Sequence, residues 1–157
     1  PFGLYITNSV QEEVGLRGAQ MITERIKPDG AIVTDVCHDT STPMINKIKQ
    51  GDLFCGKGPV LPYGTAVQNN LLNLIIDTAD KNKIPVQRAA AARATGTDTD
   101  AFAYSTGGVA SALISLPLRY MHTTVESVHK DDVDNVIKLI YNSLLKIKDG
   151  HDFRYIK

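Results

Sequence analysis

Neither sign of charge is in surplus: Lys plus Arg number 17, Asp plus Glu number 17, and the formal net charge is zero. A nucleic acid or an anionic membrane is ordinarily met by a basic surplus or a basic stripe, so both are excluded as main partners. Cysteine is scarce, with only Cys37 and Cys55, which suits a reducing cytoplasm better than a disulfide scaffold. No apolar run approaches the roughly 20 residues that a spanning helix needs, and nothing reads as a signal peptide. The expectation is a cytoplasmic globular chain. Its 157 residues suit one domain, a size at which about 68–70% of the unfolded chain's surface can be buried. Glutamate is also rare: the chain has four, and two of them, Glu12 and Glu13, are adjacent.

What is present alternates between strand and helix. Pro1 leads directly into Phe2-Gly3-Leu4-Tyr5-Ile6-Thr7, a strand-like run that reads either as a native start or as a piece cut from a longer chain. Val14 to Ile26 reads as a helix, with Ala19, Ile22 and Ile26 on one face. Ala31 to Cys37 is short and β-branched, hence a strand. Residues 38–58 are rich in Thr, Ser, Pro, Gly and Lys; a loop that long is usually functional. Pro59 to Leu61 adds a short strand, Thr65 to Lys81 a helix with Leu71, Leu72, Ile75, Ile76 and Ala79 inward, and Ile84 to Ala91 a further strand. Thr95 to Asp100 is a turn able to cap a helix through Tyr104, and Val109 to Leu116 is a strand buried on both faces. In the last helix Val133, Val136, Ile137, Ile140, Leu144 and Ile147 form the apolar face, Asp131 is placed to N-cap and Gly150 to stop it. Residues 150–157 read as a polar tail. This order predicts an α/β fold: three layers, α/β/α, around a mostly parallel sheet.

In such sheets ligands gather beyond the carboxyl ends of the strands. Ionisable residues fall there three times: Glu12-Glu13 after the first run, Asp35 at the end of the second, and His122 beyond the strand that starts at Val109. Adjacent carboxylates need either solvent or a cation. Glu12 and Glu13 are therefore either solvated acids of a first helical turn, or a ligand and a proton acceptor at a metal-bound water. Asp35, beside Ile32 and Val33, would be desolvated unless a metal, a lysine or backbone N–H groups pair it. His122 is either a hydrogen-bonded wall residue or a metal ligand. Carboxylates with imidazole and no thiolate favour zinc, cobalt or manganese over a structural zinc.

Rival motifs are weaker. Cys37 and His38 are strand neighbours that point to opposite faces, and Cys37 shares a face with Asp35, a poor activator, so a packing role suits the cysteine. Gly56-Lys57-Gly58 has the look of a phosphate loop but runs into Pro59 and no helix start, which predicts no anion-binding geometry. His129 sits near the start of the last helix and His151 in the tail, both without companion ligands.

The segment Gln11-Glu12-Glu13-Val14-Gly15-Leu16-Arg17-Gly18-Ala19 resembles the Glu-Glu motif of the glutamyl or deblocking aminopeptidases, dinuclear metallo-enzymes that include the tetrahedral aminopeptidases and some members labelled cellulase M. The likeness continues through Ala31 to Pro43, Gly56 to Val60, Gly96-Thr97-Asp98 and Arg119 to Glu126, in the family's order and spacing. It implies a zinc-exopeptidase-like fold, incomplete at its N-terminal side. By the same resemblance Glu12 is the general base, Glu13 ligates one metal and Asp35 the other, His122 is the imidazole partner of Glu13, and Gly96, Thr97 and Asp98 lie beside the substrate cleft. The implied cofactors are two divalent ions, zinc or cobalt. The implied substrates are short peptides, and the implied full-length protein is a homo-oligomer.

Family members also carry a His-x-Asp segment, a metal-bridging Asp and a dimerisation domain upstream of the Glu-Glu motif, none of which is present in residues 1–157. The chain thus reads as the C-terminal portion of a catalytic domain, with half of its metal site and no turnover when alone. Two other readings remain open at this level. One is a glycoside hydrolase with Glu12 and Asp35 as an acid/base pair, which a chelator would leave active. The other is a non-catalytic assembly module.

Overall fold

The β-branched run after Gly30 pairs in parallel with the apolar run after Val109, and this pair is the spine of the sheet in the computed structural model, which describes residues 2–155. Strands β1 (Gly30–His38) and β4 (Ala110–Arg119) run in register from Gly30↔Ala110 to His38↔Leu118. Strands β2 (Val60–Gly64) and β3 (Gln87–Ala91) form a second parallel pair. A single antiparallel bridge, Val60↔Ser115, joins the pairs in the order β1-β4-β2-β3. A short strand absent from the sequence reading, β5 (Ser127–Val128), pairs antiparallel with the end of β4. The sheet is mixed and mostly parallel, as the alternating pattern requires.

Alternation of side chains divides the sheet into two faces with different work. Leu61, Ala112 and Ile114, with half-buried Ile32 and Leu116, pack against helices α3 (Asn69–Asn82) and α5 (Lys130–Leu144). Leu71, Leu72, Ile75 and Ala79 of α3 are buried in this core, as their spacing predicts. Asp35, Cys37, Leu113 and Ser115 point to the other face. Helix α4 (Asp98–Tyr104) lies over β1 and β4 there, and α1 (Arg17–Ile26) packs on α4. The long segment between β1 and β2 contains only the four-residue α2 (Lys47–Gln50). Among the described residues no helix is long and apolar enough to cross a membrane.

The inward face of α5 departs from the sequence reading. Asp132, Val136, Leu139 and Ser143 are buried, whereas Ile137 is 61% exposed. The cause is the fully buried Asp132, whose carboxylate accepts the N–H groups of Gly56 (2.6 Å) and Gly58 (2.8 Å). That clasp fixes the rotation of the helix, and Val136 and Leu139 follow it inward. The Gly56-Lys57-Gly58 segment therefore does bind an anion, and the anion is the chain's own carboxylate. Gly58 has φ +93°, and a Cβ there would stand 2.0 Å from the Pro85 carbonyl oxygen, so only glycine can bring its amide to Asp132. The N-cap is also not Asp131: His129 Nδ1 accepts the Asp131 amide at 3.2 Å.

Two ends differ as well. Residues 2–9 join no strand ladder, and Ile6 is 92% exposed, because β1 is hydrogen-bonded only to β4 among the described strands and no neighbour pairs the first run. Residues 156–157 of the expected polar tail lie outside the described residues. Its earlier part docks on the start of α3: Phe153 packs against the core, and its carbonyl accepts the amides of the Gln68 and Asn70 side chains.

Replacing Leu139, fully buried between α5 and the sheet, by alanine is expected to cost about 2–5 kcal/mol in urea unfolding. Asp132→Ala is expected to cost about 3 kcal/mol, because the buried Gly58 amide and the part-buried Gly56 amide lose a charged acceptor at once. A loss below about 1 kcal/mol for Asp132→Ala would show that the clasp does not set the position of α5.

Candidate active site

The Glu-Glu pair sits on a tight turn ahead of α1. The Glu12 carbonyl accepts the amides of Gly15 (3.2 Å) and Leu16 (3.1 Å), so the backbone turns back before the helix begins at Arg17. The first turn of α1 consequently holds no acid, and the first-turn reading of this pair is set aside. Gly18 donates its amide to the Val10 carbonyl at 3.0 Å. A Cβ at Gly18 would stand 2.4 Å from that oxygen, so glycine is what lets the turn close on the helix.

Asp35 lies on β1 opposite Ser115 of β4, half-buried, with Oδ1 accepting the Val36 amide at 2.7 Å. His122 follows β4 in a second tight turn, with its own φ at +62° and Tyr120 at +56°, a conformation that non-glycine residues adopt at a cost of about 1–2 kcal/mol each. The Glu126 carboxylate holds that turn by accepting the His122 amide at 2.5 Å. The turn brings His122 Nε2 to 3.4 Å from Glu13 Oε1, both side chains open to solvent. Gln11, immediately before the pair, is likewise left-handed at φ +62°.

Gly96, Thr97 and Asp98 approach the same place from α4. The Thr97 hydroxyl accepts the Thr99 amide as N-cap, and Asp100 accepts the amides of Thr95 (3.0 Å) and Gly96 (2.9 Å), which locks the turn. Asp98 is 9% exposed; its Oδ2 accepts the Ser9 hydroxyl, and its Oδ1 is buried without a partner.

Electrostatics ties these groups together. Burial raises the pKa of Glu12 first, and the charges of Asp35, Glu13 and Asp98 raise it further against the opposing pull of His122. Asp35 is raised by burial first and by Asp98 and Glu13, opposed by the Val36 amide and His122. Glu12, Glu13, Asp35, Asp98 and His122 thus lie close enough to act on one another's charge, and the direct side-chain contact among them is that of Glu13 with His122. Among the described residues no three His, Cys, Asp or Glu side chains form a ready-made metal cage.

The neighbouring cysteines are free thiols kept neutral. Burial, before any charge, pushes Cys37 up to about 12, which agrees with a packing role. Asp39, which the sequence reading passed over, organises the long loop. It accepts from Ser41 N (2.7 Å), Ser41 Oγ (2.5 Å) and Cys55 N (2.9 Å), and these bonds lower its pKa although burial alone would raise it. The Asp39-Thr40-Ser41 spacing is an Asx-turn signal from which that role was readable.

A family model for M42 glutamyl aminopeptidases matches residues 1–139. The chain belongs to this M42 family. It is 39% identical over 145 residues to a lysyl aminopeptidase of Pyrococcus furiosus, a match covering 92% of this chain and 41% of that protein. Among solved structures, a TET aminopeptidase from a marine-sediment thaumarchaeon superposes with TM-score 0.82 at 30% identity, over 90% of this chain and 40% of the other. The Pyrococcus horikoshii TET1 peptidase, described as able to assemble into a tetrahedron or a large octahedral shell, gives TM-score 0.67 at 30% identity, over 87% of this chain and 38% of that one. The chain thus spans about two-fifths of the length of the relatives it matches.

The raised Glu12 and Asp35 give a signed pH dependence. A carboxyl that holds its proton more tightly folded than unfolded adds stability below the ordinary carboxylate range, and that stability is lost as pH rises through the raised value. Without divalent cations, the contribution of Glu12 and Asp35 to thermal stability is expected to fall as pH rises from the acid side of the carboxylate range toward neutrality, while Asp39, whose pKa is lowered, contributes in the opposite direction. The fall is expected to be smaller in Glu12→Gln; equal slopes in the two proteins would show that Glu12 is not held in the acidic cluster.

Proposed function

We propose that this chain supplies the catalytic Glu-Glu half of a metal-dependent aminopeptidase that removes N-terminal residues from short peptides. The observation that carries the reading is the contact of Glu13 with His122, with Glu12 and Asp35 near enough to feel the same charges, in a chain of a glutamyl aminopeptidase family. A tetrahedral site with bonds of about 2.0–2.2 Å has ligand-to-ligand edges of about 3.3–3.6 Å. The 3.4 Å between Glu13 Oε1 and His122 Nε2 matches such an edge. Carboxylates and an imidazole without thiolate suit zinc or cobalt, and the unpartnered Asp98 Oδ1 adds to the negative charge that a cation would offset.

Glu13 and His122 would hold one ion and Asp35 the other. A divalent cation bound there supplies Lewis acidity and a water that loses its proton near neutral pH. Glu12 takes that proton on a carboxylate oxygen and returns it to the departing amine; its raised pKa brings it closer to the operating pH, where such an exchange is efficient. Gly96, Thr97 and Asp98 border the substrate. A catalytic zinc asks for three protein ligands plus water, and Glu13, Asp35 and His122 are too few for two ions. The remaining ligands come from outside this chain, which alone holds a cation weakly and does not turn over. Association of copies of the whole protein into a homo-oligomer, as in the Pyrococcus horikoshii relative, belongs to the same reading.

Calorimetric titration of the 157-residue chain with zinc is expected to show weak uptake, further weakened by Glu13→Ala and by His122→Ala and unchanged by Glu12→Gln. Tight binding of two equivalents by the chain alone would contradict the ligand count. In the full-length enzyme Glu12→Gln is expected to lower kcat by about 10²–10⁴ with metal content intact. Peptide hydrolysis that survives a chelator would refute the metal-dependent reading.

A further inference from the structure

A cavity of about 130 Å³ opens on the sheet face that carries Asp35. Its floor is built from Leu113 and Ser115 of β4, Val60 and Pro62 of β2, and Ala89 and Ala91 of β3. Ser115 is the register partner of Asp35, and Cys37, two residues along β1 on the same side, forms part of the wall. Gln50 and Leu53 of the segment between β1 and β2, with Thr95 and Thr97 just before Asp98, complete a lining that mixes apolar with uncharged polar side chains. The cavity therefore adjoins Asp35 through its register partner Ser115 and adjoins Asp98 through Thr97, while neither carboxylate lines it. A larger groove of about 330 Å³ runs along α3 beside Lys146, on the far side of the sheet, and has no such connection.

Among the described residues no charged side chain lines the smaller cavity. An ammonium or carboxylate entering this space would lose its hydration with no counter-ion to replace it, a cost of several kcal/mol in general. An aliphatic group would gain from leaving water. For scale, an apolar cavity of about 150 Å³ accepts a benzene-sized guest, so the volume suits a side chain of the size of valine or leucine and excludes an indole.

We propose that this uncharged cavity receives the side chain of the substrate's first residue, so that the enzyme selects peptides beginning with small or medium aliphatic residues over those beginning with Lys, Glu or Trp. The inference rests on the aminopeptidase reading and deepens it. The acidic cluster takes the substrate's amino end and scissile carbonyl, while the uncharged cavity next to it takes the side chain between them. Selection of this kind follows from desolvation, so it discriminates strongly by charge and only modestly by one methylene.

Two measurements test it. In amide-resolved NMR of the 157-residue chain, leucinamide is expected to shift Ala89, Ala91, Leu113 and Ser115, and lysinamide at equal concentration is not. Equal effects of the two, or none from leucinamide, would overturn the proposal. In the full-length metal-loaded enzyme, kcat/KM for leucyl-p-nitroanilide is expected to exceed that for the lysyl and glutamyl analogues at least tenfold. Ala89→Leu, which fills the floor, should lower the leucyl value about 10–100-fold while changing the alanyl value less. A preference for the lysyl or glutamyl substrate would overturn the cavity assignment and leave the peptidase reading standing. No hydrolysis of any substrate, with leucinamide still shifting those amides, would overturn the peptidase reading and support the cavity as an aliphatic binding site.

Discussion

Four carboxylates, Glu12, Glu13, Asp35 and Asp98, share one neighbourhood with a single imidazole to oppose them. Left to itself such a cluster would spread apart, because each charge raises the cost of its neighbours and burial raises it further. It persists because each member is fixed by backbone that cannot easily move. Glu12 and Glu13 ride a turn closed by Gly18 on Val10, His122 a left-handed turn tied by Glu126, Asp35 a parallel strand paired along its whole length, and Asp98 a helix start clasped by Ser9. The scaffold stores unfavourable electrostatic energy at one place, and a divalent cation is the species that would release it.

The sheet makes this possible by separating stability from chemistry. One face is apolar and sealed by α3 and α5, with Leu72, Ile75, Ile114 and Leu139 all fully buried. The other carries Asp35, Cys37 and Ser115 beneath the thin cover of α4 and the long loop. That loop is held by two anions of the chain itself: Asp39 collects the amides of Ser41 and Cys55, and Asp132 those of Gly56 and Gly58. The second of these reaches across from α5, so the stable side of the sheet also determines where the functional side's loop lies.

Much of this was legible beforehand, for identifiable reasons. The α3 core positions follow from helical spacing alone, and β1 and β4 from β-branched and continuous apolar runs bounded by glycine. The α5 face was not legible, because Asp132 and Ser143 look like solvent residues until the Gly56 and Gly58 amides are known to meet Asp132. The first run, read as strand-like, joins no ladder among the described residues, because composition reports the tendency to extend and cannot report whether a neighbouring strand exists. The Gly56-Lys57-Gly58 segment was discounted because a local pattern looks for an external anion, and the anion lies 74 residues further along from Gly58.

The sequence by itself determined the element order, the α/β class, the candidate identities of Glu12, Glu13, Asp35 and His122, and the M42 kinship that their ordered spacing announces. These are local or periodic properties, written in which residue follows which. Only the tertiary structure decided that Glu13 meets His122 with Glu12 and Asp35 within electrostatic reach, that Asp98 lies near them with a buried unpartnered oxygen, and that an uncharged cavity opens on the same sheet face. Convergence depends on strand register and on the rotation of a helix about its axis. Both are fixed by contacts between residues far apart along the chain, which no local pattern encodes.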